Sequence, residues 1–410
     1  KKIFMKKKTF YGLPSKVIFC KKTLISNQRP SSEIEFKHNI KTKKKTLFVD
    51  KNGISDSWKY SRKKLKINFK AREKKLVELL SKHRGKYGEY DCIVPGSGGK
   101  DSCYAAHLLK YKYGMNPLTV TWPPIMYTDY GLKNFKNWLS FGNFNNITAK
   151  RSERAMIFLT KNSIYNLLHP FQTFMLGQKI FAVKMALKFK IPLVFFGENE
   201  AEHGNPIAEN FSSLRKKTFY TMKSKDNIFL GGIRYKDLIS RYNFKHQELE
   251  SFLPPKVDEI NNKNIEVHYL GYYKKWIPQE CFYHAVKNCG FMPRPYRTQG
   301  TYSKYNSIDD KIDDLHYYTV YIKFGIGRAT YDVSQEIRNN HLSIGEGKKL
   351  IEKYDGEFPD RYFGEIMSYL GIKKRKFFNL CDKFRSPHLW KKVKKKWMLR
   401  HTVNLTGYDD

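Results

Sequence analysis

Ser97-Gly98-Gly99-Lys100-Asp101-Ser102 follows directly on the apolar run Cys92-Ile93-Val94-Pro95. These residue types suit one task above others, the holding of phosphate. Adjacent glycines remove the Cβ atoms that would keep backbone N–H groups away from anionic oxygens, and a helix opening behind them adds the positive end of its dipole. The Ser97 and Ser102 hydroxyls and the Lys100 ammonium can add further donors. The long Gly-x-x-x-x-Gly-Lys spacing of the Walker loop is missing, and so is the dinucleotide fingerprint.

A second polar cluster, Gly197-Glu198-Asn199-Glu200-Ala201-Glu202-His203-Gly204-Asn205-Pro206, stands just after the apolar stretch 191–196. Three carboxylates in so short a span suit Mg²⁺, which takes a few carboxylates together with phosphate oxygens and water, or the polar groups of a substrate. Further on, Lys323-Phe324-Gly325-Ile326-Gly327-Arg328-Ala329 holds a glycine pair too sparse to be a nucleotide loop. Lys304, Lys323 and Arg328 in this part of the chain are cations for an anionic ligand.

These residues need a scaffold, and the pattern around them predicts an α/β one. Apolar runs at residues 90–94, 118–122, 191–196 and 265–270 read as strands, separated by segments of helical periodicity. A helix carries Ala105, Ala106, Leu108 and Leu109 and ends near Gly114. Another carries Ile180, Ala182, Val183, Met185 and Leu187, and an amphipathic helix is expected over residues 61–84. Alternation of this kind predicts a doubly wound parallel sheet, with ligands bound outside the carboxyl ends of its strands. The Ser97 loop and the Glu198 loop both fall there and should face each other. Three regions are expected: a basic N-terminal region (1–85), the α/β domain (86–300) and a mostly helical C-terminal cap (301–410).

The chain has 410 residues and a net charge of +39, with 77 Lys+Arg against 38 Asp+Glu. The lysines are spread along its whole length, which describes a solvated surface rather than a nucleic-acid face, so nucleic acid is not expected as a partner. No apolar run is long enough to cross a bilayer. The six cysteines have no framework spacing, and a reducing cytoplasm is the expected compartment.

Ser97-Gly98-Gly99-Lys100-Asp101-Ser102 resembles the PP-loop of ATP pyrophosphatases, which split ATP into AMP and pyrophosphate. Taken with Gly197-Glu198-Asn199-Glu200-Ala201-Glu202 and the segment from Lys323 to Ala329, the chain resembles the N-acetyl sugar amidotransferases of bacterial surface-polysaccharide biosynthesis. The resemblance runs from about Tyr11 to about Arg385. It implies conversion of an acetamido sugar to an acetamidino sugar, with ATP, Mg²⁺ and ammonia consumed. Ser97, Gly98, Gly99, Lys100, Asp101 and Ser102 would cradle the pyrophosphate, Asp101 would hold Mg²⁺, and Thr121 or Trp122 would meet the adenine. Lys100, Asp101 and Glu198 would be catalytic. Asn199, Glu202, Lys304, Lys323 and Arg328 would contact an anionic sugar.

The resemblance also implies partners. No glutaminase motif is present, so a separate glutaminase subunit and an ammonia-channelling, synthase-like subunit are expected. Family members carry two Cys-x-x-Cys pairs near the amino end, a zinc ribbon. Here the pairs read Cys20-Lys21-Lys22-Thr23 and Ser55-Asp56-Ser57-Trp58. One thiolate of four remains, so this ribbon is degenerate and the protein is expected to bind no zinc. Two other readings stay open: a PP-loop enzyme that modifies tRNA, and a non-catalytic descendant of the family.

Overall fold

The computed structural model describes residues 7–198, 202 and 211–404. Its strands, in chain order, are β1 (Cys92–Pro95), β2 (Pro117–Thr121), β3 (Asn146–Thr148), β4 (Leu193–Phe196), β5 (Phe229–Leu230), β6 (Ile233–Arg234), β7 (Glu266–Tyr269), β8 (Trp390–Val393) and β9 (Lys396–Leu399). Helices α1 (Asp56–Lys64) and α2 (Phe69–His83) precede β1. Between β1 and β4 run α3 (Lys100–His107), α4 (Asp129–Gly142), α5 (Glu153–Leu167) and α6 (Gln172–Phe189). Short helices α7 (Tyr235–Ser240), α8 (His246–Leu249) and α9 (Val257–Asn262) lead to β7, and α10 (Leu270–Tyr273) and α11 (Pro278–Cys289) follow it. The C-terminal region is built from α12 (Lys311–Phe324), α13 (Arg328–Arg338), α14 (Ile344–Tyr354), α15 (Asp360–Leu370) and α16 (Lys374–Phe384), closed by the β8–β9 hairpin.

β1, β2, β3, β4 and β7 form one parallel sheet in the order β3-β2-β1-β4-β7. The chain winds outward from β1 to β2 and β3, then returns past β1 to β4 and β7. Connections therefore leave in opposite directions at β1 and β4, and a crevice opens between them at their carboxyl ends. The four expected strands all lie in this sheet. β3 was not expected, because Asn146-Ile147-Thr148 has neither length nor apolar pattern; it exists by pairing with β2 at the sheet edge.

Side chains alternate across the sheet as strand geometry requires. Ile93, Leu118, Val120, Val194 and Val267 pack on one face with Leu159, Ile180 and Val183. Cys92, Val94, Leu193 and Phe195 pack on the other with Leu76, Leu109, Trp138 and Ala285. Both faces are covered, which is why the strands read as apolar runs. The expected helix over residues 61–84 is broken: α1 ends at Lys64, and the Asn68 side chain caps a new start by accepting from Ala71 N (3.0 Å). Leu76 and Leu80 of the second piece are fully buried, whereas Leu65 is left 58% exposed at the break. The helix behind residues 97–99 does end at Gly114, which takes φ +63° after a π-helical turn, Leu108–Lys112.

The terminal regions share their cores with each other and with the sheet. Leu13, Cys20, Ile25 and Leu47 pack against Phe324, Ile326, Leu389 and Trp390. Ile312, Leu315 and Ile322 of α12 join the apolar cluster of the sheet face. Among the described residues no helix is long and apolar enough to cross a membrane.

Gly177 shows how tightly α6 lies on the sheet, since a Cβ there would sit 1.8 Å from Cε2 of Trp122. Gly177→Ala should therefore destabilise the protein by about 1–3 kcal/mol through overpacking, read as a lowered denaturant midpoint with an unchanged m-value.

Candidate active site

The turn from β1 into α3 is shaped by what its glycines lack. Gly98 has φ +84°, and a Cβ there would lie 2.6 Å from the Asn134 carbonyl oxygen of α4. A Cβ on Gly96 would collide with the Ser102 side chain at 2.4 Å and with Trp138 at 2.6 Å. Gly99 is the N-cap of α3 and has no side chain to cap it. The first turn of α3 thus opens at the crevice of the sheet with no side-chain cap from its N-cap residue. The hydroxyls fix the turn from both ends: Ser97 Oγ donates to Asp309 Oδ2 (2.9 Å) and Ser102 Oγ donates to Gly99 O (2.9 Å).

This turn forms one wall of a cleft of ≈ 550 Å³ that also takes in Trp122, Phe174, Gly197, Glu198, Tyr305 and Arg328, a volume suited to a nucleotide-sized ligand. The turn and the residues after β4 face each other as expected, and a Cβ on Gly197 would come within 3.3 Å of Asp101 O. Lys100 Nζ pairs with Asp101 Oδ2 at 2.6 Å. Burial opposes the lysine's charge, but Asp101 and Glu198 beside it outweigh burial and raise its pKa, so the ammonium stays protonated. A metal taking the Asp101 carboxylate would release Lys100 toward the anionic oxygens that such a metal accompanies.

The opposite wall comes from the C-terminal region. Asp309 and Asp313 line the cleft with Tyr305 and Tyr317. Tyr305 stacks on Phe282 with ring centroids 4.3 Å apart. Arg328 opens α13, makes an ion pair with Asp332 (3.0 Å) and lies 4.4 Å from the centroid of the Tyr317 ring. Burial pushes Asp313 up to about 6, while Arg328 pulls it back. The wall thus offers a fixed cation, a stacking surface and a carboxyl group that titrates near neutrality.

The residues named from the sequence divide clearly in space. Ser97, Gly98, Gly99, Lys100, Asp101, Ser102, Trp122, Glu198, Glu202 and Arg328 all line the cleft. Thr121 is fully buried, its hydroxyl accepting from Asn146 Nδ2 (3.0 Å), and is not brought to the cleft. Lys323 points away from the cleft, donating to Leu167 O (2.7 Å); burial pushes its pKa down to about 7. Lys304 is exposed outside the cleft wall. Asn199 lies outside the described residues. Glu202 reaches the cleft already engaged: Lys64 Nζ of α1 pairs with its carboxylate (2.5 Å), and Arg338 of α13 donates to its carbonyl (2.9 Å). Asp309, Asp313, Tyr305 and Tyr317 were not singled out, and the Asp309-Asp310 pair in an otherwise weakly patterned stretch was the one available signal.

Cys20, Thr23, Ser55 and Trp58, the positions that the resemblance assigns to a ribbon, lie close to one another. Ser55 N donates to Cys20 Sγ (3.3 Å), the Thr23 and Ser55 hydroxyls are 3.4 Å apart, and Trp58 N donates to Ser55 Oγ (3.3 Å). One sulfur among hydroxyls and an indole does not fit a tetrahedral zinc site.

Comparison with known proteins adds two similarities. Residues 299–403 match the family model described as LPS biosynthesis protein WbpG-like, C-terminal domain. That segment holds Tyr305, Asp309, Asp313, Tyr317 and Arg328, the wall opposite Lys100. The uncharacterized protein MJ1599 of Methanocaldococcus jannaschii is 45% identical over 53 residues, which cover 13% of this chain and 19% of that protein.

The ion pair at Glu202 gives a direct test of how the walls are held. Lys64→Met should cost about 3–5 kcal/mol, because it strands a buried carboxylate. Lys64→Met combined with Glu202→Leu should recover most of that loss in a denaturant double-mutant cycle.

Proposed function

We propose that this chain is an ATP-dependent amidotransferase of surface-polysaccharide biosynthesis, adenylating the acetamido oxygen of an N-acetyl sugar and replacing it with ammonia. One observation carries the reading: an uncapped helix N-terminus with Lys100 and Asp101 faces, across a single cleft, a wall matching an LPS biosynthesis family model.

An amide carbonyl is a poor electrophile, because its nitrogen donates into it. In the proposed reaction the amide oxygen attacks the α-phosphorus of ATP, forming a P–O bond as pyrophosphate leaves. Ammonia then adds to the activated carbon, AMP departs with the former amide oxygen, and loss of a proton leaves the amidine. The N–H groups of residues 100–102 and the Lys100 ammonium would take the charge gathering on the leaving pyrophosphate. Mg²⁺, when bound, would neutralise phosphate charge, and Asp101 with Glu198 beside it are the residues to hold it. The space lined by Trp122, Phe174 and Phe181 suits the adenine base. Tyr305, Tyr317 and Arg328 suit a sugar ring bearing negative charge, stacking on it and pairing with it. Ammonia would come from a separate glutaminase, with a synthase-like subunit channelling it.

The test measures pyrophosphate release with candidate acetamido sugars and ammonium. Wild type should release pyrophosphate and AMP in equal amounts, only with the right sugar. Asp101→Ala should lower kcat by about 10²–10³-fold, on the scale of lost transition-state electrostatics. Gly98→Ala should abolish nucleotide binding by closing the turn onto Asn134. Pyrophosphate release that depends on tRNA, with no response to any acetamido sugar, would overturn the proposal.

A further inference from the structure

Behind the cleft wall lies a buried group of side chains that the proposed reaction does not use. Glu35 and His38 sit at the two ends of a single 3₁₀ turn in the N-terminal region, and His169 lies in the turn between α5 and α6. Glu35 is 3% exposed, His38 4% and His169 9%. Glu35 Oε2 stands 3.5 Å from His38 Nδ1 and 3.7 Å from His169 Nε2, and one ligand atom from each residue lies within 4.8 Å of the other two.

These distances are slightly too long for strong hydrogen bonds and close to the ligand spacing of a small metal ion. Four ligands at Zn–N and Zn–O lengths lie about 3.3 Å apart at tetrahedral angles. Glu35 Oε2 and His38 Nδ1, which face each other, are buried without a hydrogen-bond partner among the described residues, an arrangement that costs free energy unless something satisfies it. The backbone holds the group in place, since Gln172 Nε2 donates to Glu35 O (3.0 Å). His316, which lines the cleft, stacks on His169 with centroids 5.0 Å apart and fixes the plane of that ring.

We propose that Glu35, His38 and His169 form a site for a zinc-class divalent metal, clipping the N-terminal region to the back of the cleft wall. Three lysines surround the group and decide the class of metal. Lys179 Nζ is 3.9 Å from Glu35 Oε1 and donates to Glu33 O (2.9 Å), Lys323 donates to Leu167 O, and Lys44 faces the same carboxylate. Their charge penalises any cation held by electrostatics alone, which removes Mg²⁺ and Ca²⁺. Imidazole nitrogen favours zinc, cobalt and their neighbours through bonding that hard cations lack. The site is separate from the Cys20 and Ser55 positions and stands whether or not the amidotransferase reading does.

The test strips the full chain with a chelator, reloads it with Zn²⁺ or Co²⁺ and measures bound metal after dialysis. One equivalent per chain is expected, and the cobalt form should show visible d–d absorption without a thiolate charge-transfer band. Zinc should raise Tm. His38→Gln and His169→Gln should each weaken binding by at least about tenfold and lose the zinc-dependent Tm rise, and circular dichroism of the stripped variants identifies the folded ones to compare. Cys20→Ser should bind as wild type does. Wild type that retains no metal, unchanged affinity in the folded histidine variants, or binding lost in Cys20→Ser would overturn the proposal.

Discussion

The cleft depends on one close approach, that of the backbone at Gly98 to the carbonyl of Asn134. Only a residue without Cβ fits there, and its positive φ turns the chain so that α3 begins at the crevice of the sheet. A serine or aspartate at position 99 would have satisfied the first N–H groups of α3 itself. Glycine at that position supplies no such cap. The same turn places Lys100 and Asp101 in the cleft and sends Ser97 to Asp309 on the far wall.

That hydrogen bond shows that the two walls are one construction. The C-terminal helices do not lie on the sheet as a detachable cap, because α12 shares the apolar cluster of β1, β2 and β4. The N-terminal region in turn shares a core with α12 and β8. Glu202 is held from both sides, by Lys64 before the sheet and Arg338 after it. Residues remote in sequence therefore meet within the cleft, and its shape is a property of the whole chain.

Charge behaves differently inside the cleft and outside it. The chain carries +39, yet in the cleft Lys100 pairs with Asp101 and Arg328 with Asp332, and the lining residue Glu202 pairs with Lys64 of α1. A buried cation needs such a partner to remain charged, whereas a surface lysine is charged by water alone. The surface excess thus says little about the ligand, and the paired groups inside define what the cleft can recognise.

The sequence by itself determined the local features. Apolar runs of strand length, glycines in the turn after β1, and carboxylates after β4 are written in consecutive residues, and the sheet and both loops at the cleft were legible from them. The four strands lie in the sheet as expected, and ten residues named from the sequence line one cleft. The edge strand β3 and the break at Leu65 were not legible, because pairing partners and an Asn68 cap decide them rather than periodicity. Tertiary structure alone decided which distant side chains meet. It put Lys323 behind the cleft and Arg328 in it, although only four residues separate them, since Gly325 ends α12 in a left-handed turn and reverses the chain's exposure. It also drew Glu35, His38 and His169 into one buried group. Spacing of 131 residues between His38 and His169 carries no local signal; only the packing of the N-terminal turn against α6 brings them together.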